Sequence, residues 1–208
     1  MATIRKGILG GFSGTAGPAT GTNWRGQDVL KGRSKKRIEK EDLLPQNFKL
    51  KVMSEFLGHF SALIKIGFYH RNKKDTPFNR AMSYNLERAI TGEAPDYDIN
   101  YKKIVFSKGN REPAWSVRAM LEQKDQININ WEVPETANIK VIANDLAKIV
   151  IYNETKKEAR FSATAIRSDL SITVTIPEVF IGNKFHLWMF FVSPDGKNVS
   201  NSDYLGRV

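Results

Sequence analysis

The chain has 208 residues, 41% of them hydrophobic, and no cysteine. That length and apolar content exclude global disorder, and the missing thiols exclude disulfides and thiolate metal sites, so the fold must stand on packing. The formal charge of +10 lies wholly in residues 1–92, which hold 17 Lys+Arg against 7 Asp+Glu, while residues 93–208 hold 15 of each.

Residues 1–46 show no helical or strand period. Glycines at 7, 10, 11, 14, 17, 21, 26 and 32 raise the entropic cost of ordering this segment. It reads as an extended, Gly-rich basic arm that becomes ordered against a partner, because glycine permits close backbone approach. Trp24, Arg25, Lys31, Arg33, Lys35, Lys36 and Arg37 are the candidate contacts for nucleic acid or a neighbouring subunit. The cations would neutralise phosphate and Trp24 would offer a stacking face. The stretch "GILGGFSG" has too few large apolar groups for an export signal, and no segment approaches the roughly 20 apolar residues of a membrane span. A cytoplasmic or virion location is expected.

Residues 47–92 predict a helical hairpin. Over 47–69, Phe48, Val52, Phe56, Phe60, Leu63 and Ile64 recur at three- and four-residue steps. Thr76-Pro77 is a helix start, with Gly92 as a stop.

From residue 93 the apolar period is two. "QININWEV" sets Ile127, Ile129, Trp131 and Val133 on one face, and "DLSITVTIP" alternates likewise. Further strands are expected near 101–107, 115–121, 139–152, 159–166 and 184–193. Seven or so short strands imply an all-β sandwich. "FHLWMFFV", residues 185–192, is apolar on both faces, so it is either a central strand covered on both sides, with the first helix as the economical cover, or one face of a subunit interface. The expected class is α+β: arm 1–46, two-helix hairpin 47–92, sandwich 93–208.

Two resemblances follow from these residues. "ININWEVP" and "FHLWMFFVSPDGKNVSNSDYLG" resemble an early strand and the last two strands of a fibronectin type III or immunoglobulin-like module, with Trp131 as its buried tryptophan. The corner tyrosine often found in that fold is replaced by Phe185, which has no hydroxyl. "GILGGFSGTAG", "NWRGQDVLKGRS" and "FHLWMFFVSPDGK" resemble an uncharacterised family of Bacteroidota proteins. That resemblance implies a bacterial or bacteriophage origin and no chemistry.

No catalytic, cofactor or metal constellation is legible. "GFSGTAG" runs into Pro18 where a phosphate loop needs Gly-Lys-Ser/Thr, and His59, His70 and His186 have no metal-ligand spacing. No small-molecule substrate is identified, and an enzyme is not expected. The leading expectation is a non-enzymatic, homo-oligomeric assembly protein, such as a capsid-type phage virion component, whose arm meets nucleic acid or neighbours. An immunoglobulin-like adaptor and a cytoplasmic DNA-binding protein are the alternatives.

Overall fold

The computed structural model describes residues 3–4, 11–24, 26–32, 44–69, 75–123, 125–135, 137–162 and 165–208. The chain divides into two compact units, Met1–Leu43 and Leu44–Val208.

The first unit is an antiparallel sheet in the order β1 (Thr3–Ile4), β2 (Phe12–Ala16), β3 (Ala19–Trp24), β4 (Gln27–Gly32). This corrects the expected extended arm: its described residues 12–32 form a meander. Strand alternation was invisible because the pairing runs through small residues, with Gly14 opposite Gly21, Thr15 opposite Thr20 and Ala16 opposite Ala19. Gly17 and Gly26 sit in the two hairpin turns with φ of 56° and 83°, the left-handed region that tight hairpins demand.

The second unit begins with α1 (Pro45–Gly58), α2 (Ser61–Gly67) and α3 (Pro77–Arg88). The predicted single helix over 47–69 is therefore two helices, and the expected two-helix hairpin is a three-helix layer. The break falls after Gly58, the weakest helix former nearby. Ser61 Oγ donates to the Gly58 carbonyl at 2.7 Å, taking the acceptor that a continuous helix would use. Thr76 caps α3, accepting from the Asn79 amide at 3.2 Å, with Pro77 opening the helix as expected.

A small hairpin, β5 (Ile90–Glu93) and β6 (Asp96–Ile99), follows. The expected divide between residues 92 and 93 thus falls inside a strand. The strand expected over 101–107 is instead a 3-10 turn, Tyr101–Lys103, followed by extended chain. Its polar backbone is satisfied by a side chain: Asn85 of α3, fully buried, accepts from the Val105 amide at 2.8 Å and donates to the Val105 carbonyl at 2.9 Å.

The remaining strands are β7 (Trp115–Gln123), β8 (Gln126–Glu132), β9 (Leu146–Asn153), β10 (Glu158–Ser162), β11 (Ser171–Thr175), β12 (Phe185–Val192) and β13 (Asp203–Arg207). Residues 139–142, expected in a strand, form the one-turn helix α4 (Ile139–Ile142). One sheet runs β11-β8-β7 and the other β10-β9-β12-β13. The seven strands thus form the predicted sandwich. The fourth strand, β10, pairs with β9 in the four-stranded sheet, which sets this order apart from a constant-type immunoglobulin domain, where four strands lie on the other sheet.

Two cores explain why β12 is apolar on both faces. Leu187, Met189 and Phe191 face the three-stranded sheet, where they meet Ile127, Ile129 and Trp131 of β8. Trp188, Phe190 and Val192 face the helices, where they meet Met53, Phe56, Phe60 and Ile64. β9 does the same, with Ala147, Ile149 and Ile151 on one side and Val150 and Tyr152 on the other. The unit is three layers: helices, four-stranded sheet, three-stranded sheet. Every residue of β12 is buried.

Candidate interaction site

The residues expected to contact a partner lie in the first unit. Trp24 ends β3 opposite Gln27, and Lys31 of β4 stands opposite Thr20. Cross-strand pairs share a face, so Trp24, Thr22, Thr20, Val29 and Lys31 stand on one side of the meander. Trp24 is 56% exposed and Lys31 is exposed. Arg25, Arg33, Lys35, Lys36 and Arg37 lie outside the described residues.

Little is buried among the described residues of the meander. Across β2, β3 and β4 the one buried residue is Gly21. A Cβ there would strike the Phe12 carbonyl, so glycine is needed to let β2 lie against β3. The hydrogen bonds are local: Asn23 donates to Asp28 at 2.9 Å and accepts from the Gly26 amide at 3.0 Å. Among the described residues these three strands pair but bury no large apolar side chain, whereas small sheets gain stability from a packed hydrophobic face.

In the second unit the main polar feature is a buried charge cluster at one end of the sandwich. Arg167 and Asp145 have fully buried side chains, and Arg111 is 19% exposed. Asp145 accepts three bonds from Arg111, at 2.7, 2.9 and 3.1 Å, and one long contact from Arg167 at 3.4 Å. The carboxylate is thus committed mainly to Arg111, whose guanidinium pKa it raises through that hydrogen bond. Arg167 relies on the carbonyls of Pro113 at 2.9 Å and Glu112 at 2.6 Å, and its guanidinium carbon lies 3.6 Å from the Phe191 ring centroid. Burial pushes its pKa down.

The turn that carries Arg167 is pinned on three sides. The Arg167 amide donates to the Asp145 carbonyl at 2.8 Å, Asp169 accepts from the Ile166 amide at 2.8 Å, and Trp131 Nε1 donates to the Arg167 carbonyl at 2.8 Å. Leu170 closes the turn at a φ of 59°. An apolar cleft of about 520 Å³ opens beside it, lined by Trp131, Ile139, Ile142 and Leu170. The Arg167 side chain is fully buried, so the exposed charged residue on the lining is Glu132 and most of the rest is apolar.

A second polar cluster sits between the helices and the four-stranded sheet. His186 stacks on Tyr101, with ring centroids 4.0 Å apart, and its Nδ1 lies 2.9 Å from the Tyr204 hydroxyl. Its Nε2 lies 3.4 Å from Glu154. Burial holds its pKa below the ordinary histidine value. Neither cluster was legible in the sequence, where Arg111, Asp145, Arg167 and His186 are scattered without spacing. Among the described residues no group of three or more His, Asp or Glu could hold a metal ion, and no helix is long and apolar enough to cross a membrane.

Residues 11–206 match the model of a family of unknown function, DUF6266. The chain belongs to that family. No curated protein matches this DUF6266 chain. Among solved structures it is similar to one described as "Myokine structure", with 12% identity and a TM-score of 0.36, covering 48% of this chain and 94% of that one. It is similar to the FN5 domain of Drosophila Lar, with 16% identity and a TM-score of 0.32 over 46% and 90% of the two chains. It is also similar to the fn3 domain of human contactin 1, with 12% identity and a TM-score of 0.33 over 57% and 89%.

Proposed function

We propose that this DUF6266 protein is a non-enzymatic assembly component, a building block of a homo-oligomeric particle such as a virion. One observation carries the proposal: β2, β3 and β4 are strand-paired yet, among their described residues, bury only Gly21. The meander's Trp24, Thr22, Thr20 and Val29 face is what a neighbouring subunit would cover, adding apolar contact to these strands. Leu44–Val208 holds two hydrophobic clusters of its own and would serve as the rigid body.

Sedimentation velocity at micromolar concentration tests the proposal. The full chain is expected to sediment as an oligomer. A Trp24→Glu/Val29→Glu double variant, and a chain lacking residues 1–43, are expected to stay folded, each with a cooperative thermal transition, and to sediment as monomers. A monomeric full chain, or a truncated chain that still assembles, overturns it.

A second reading rests on the edge strand β7, where Trp115, Met120 and Leu121 are 44%, 57% and 49% exposed. An adaptor would use this edge to take a partner's strand. It would be monomeric in the same experiment.

A further inference from the structure

The helical layer carries a cationic cleft that no part of the assembly proposal uses. It is an open space of about 550 Å³ against α3, with Arg80, Tyr84, Arg88 and Lys108 as its principal groups and Asn79 and Ser83 as neutral hydrogen-bonding neighbours. α3 and the chain after the 3-10 turn contribute most of it, with Phe68 at the end of α2 and Asp75 just before α3.

Their relative placement is fixed by buried contacts. Asn85 ties α3 to both polar groups of Val105, three residues before Lys108. The Lys108 amide donates to the Gly67 carbonyl at 3.0 Å. Gly67 has no room for a side chain, because a Cβ would collide with the Phe106 carbonyl. Lys108 is therefore set against α3 by backbone geometry, not left on a loose loop.

The charges in the cleft divide into spent and available. Arg88 donates to Glu87 at 2.7 Å and lies 4.1 Å from the centroid of Tyr84. Lys108 Nζ lies over the same ring at 4.3 Å. Among the described residues neither Arg80 nor Lys108 has a carboxylate within 4.0 Å, though Asp75 and Glu87 also line the cleft, against the three cations Arg80, Arg88 and Lys108. Lys108 and Arg80 are thus left without a neutralising carboxylate at that range, although Arg80 also donates to the Phe68 carbonyl at 3.4 Å, and amide and hydroxyl donors stand beside them. The described residues of 44–92 hold five Lys+Arg against three Asp+Glu, so their summed field has the same sign.

We propose that this cleft binds the phosphate backbone of a nucleic acid, with Arg80 and Lys108 as the phosphate contacts and Tyr84 as the residue that positions Lys108. A concave, mostly polar site with hydrogen-bond donors suits phosphate groups presented along a strand. A bilayer surface would call instead for exposed apolar groups beside the cations, and the cleft offers none among its described residues. The proposal does not rest on the meander, so sedimentation and binding can fail separately.

The test is fluorescence anisotropy of the full chain with short labelled oligonucleotides, single-stranded and duplex, over a range of salt. Wild type is expected to bind with a salt-dependent affinity. Arg80→Gln/Lys108→Gln is expected to lower the slope of log K against log salt by about 0.9 per lost contact on duplex and about 0.7 on a single strand. A Lys156→Gln/Lys184→Gln control, exposed and remote in sequence, should leave the slope unchanged. In the unmodified protein, bound oligonucleotide should shield Lys108 from acetylation, read by mass spectrometry. No binding, an unchanged slope in the double variant, or equal acetylation of Lys108 with and without oligonucleotide overturns the proposal. Binding to anionic vesicles through Arg80 and Lys108 that oligonucleotide does not compete away also overturns it.

Discussion

Replacing Asp145 by alanine should cost this fold about 3–5 kcal/mol, because it strips two guanidiniums, one of them fully buried, of the carboxylate that lies within 4.0 Å of both. The magnitude follows from the unequal shares. Arg111 loses three hydrogen bonds to the carboxylate but is 19% exposed, so water can recover part of its charge. Arg167 loses just one contact, at 3.4 Å, yet its side chain is fully buried and it cannot rehydrate without opening the sandwich. Hydrogen bonds to charged groups are worth about 1.5–3 kcal/mol each, and a stranded buried charge costs more than the bond it lost. The Pro113 and Glu112 carbonyls and the Phe191 ring soften the penalty without removing it. Urea unfolding followed by tryptophan fluorescence measures the change, since Trp131 and Trp188 are buried in the two cores. The midpoint should fall sharply at constant m-value. A loss under about 1 kcal/mol would refute the reasoning, since it would mean that Arg167 is hydrated or that Asp145 does not compensate it. Arg167→Met provides the contrast: removing the buried cation with its need for a partner should cost much less than removing Asp145.

Three further outcomes are expected. Asn85→Ala should lose about 2–3 kcal/mol, because the Val105 amide and carbonyl are left without partners against α3; thermal melts would show it as a lowered Tm. Trp131→Phe should cost about 1–3 kcal/mol, losing the 2.8 Å bond to the Arg167 carbonyl and the edge contact with Phe191, again by urea unfolding. His186 should give stability an acid limb. Its folded pKa lies below the ordinary value of 6.5, so below that pH the unfolded chain binds the proton first; its contribution is complete above 6.5 and is lost as the pH falls through the folded pKa. The groups around it are Glu154, Tyr101, Tyr204 and Arg207. Stability measured from about pH 7 down to about pH 5 should fall less steeply in His186→Phe than in wild type.

Much of the second unit could be read from the sequence because its strands alternate. β8 and β11 showed their faces directly. β12, with no polar residue but His186, announced that both of its sides are covered. The readings that failed did so where local pattern and tertiary demand diverge. The apolar stripe from Phe48 to Ile64 continues through the break after Gly58, since Phe60 is buried whether or not the helix is continuous. Residues 139–142 are branched and apolar like a strand, yet make a single helical turn with Ile139 and Val141 exposed. The meander escaped notice because glycine, threonine and alanine pair through the backbone without the large alternating side chains that mark a strand. The charge cluster escaped for another reason. Arg111, Asp145 and Arg167 come from three separate connections, and only the closure of the sandwich brings them together.

β12 is a party wall. Its odd-numbered residues belong to one room and most of its even-numbered ones to the other, so neither core can loosen while that strand holds, and neither survives if it goes. The chain lists its helices first and its sandwich strands afterwards, which invites division at the seam. Cutting there would leave the helices without the surface they lean on and would expose Trp188, Phe190 and Val192 to water. What reads in order as two modules should melt as one.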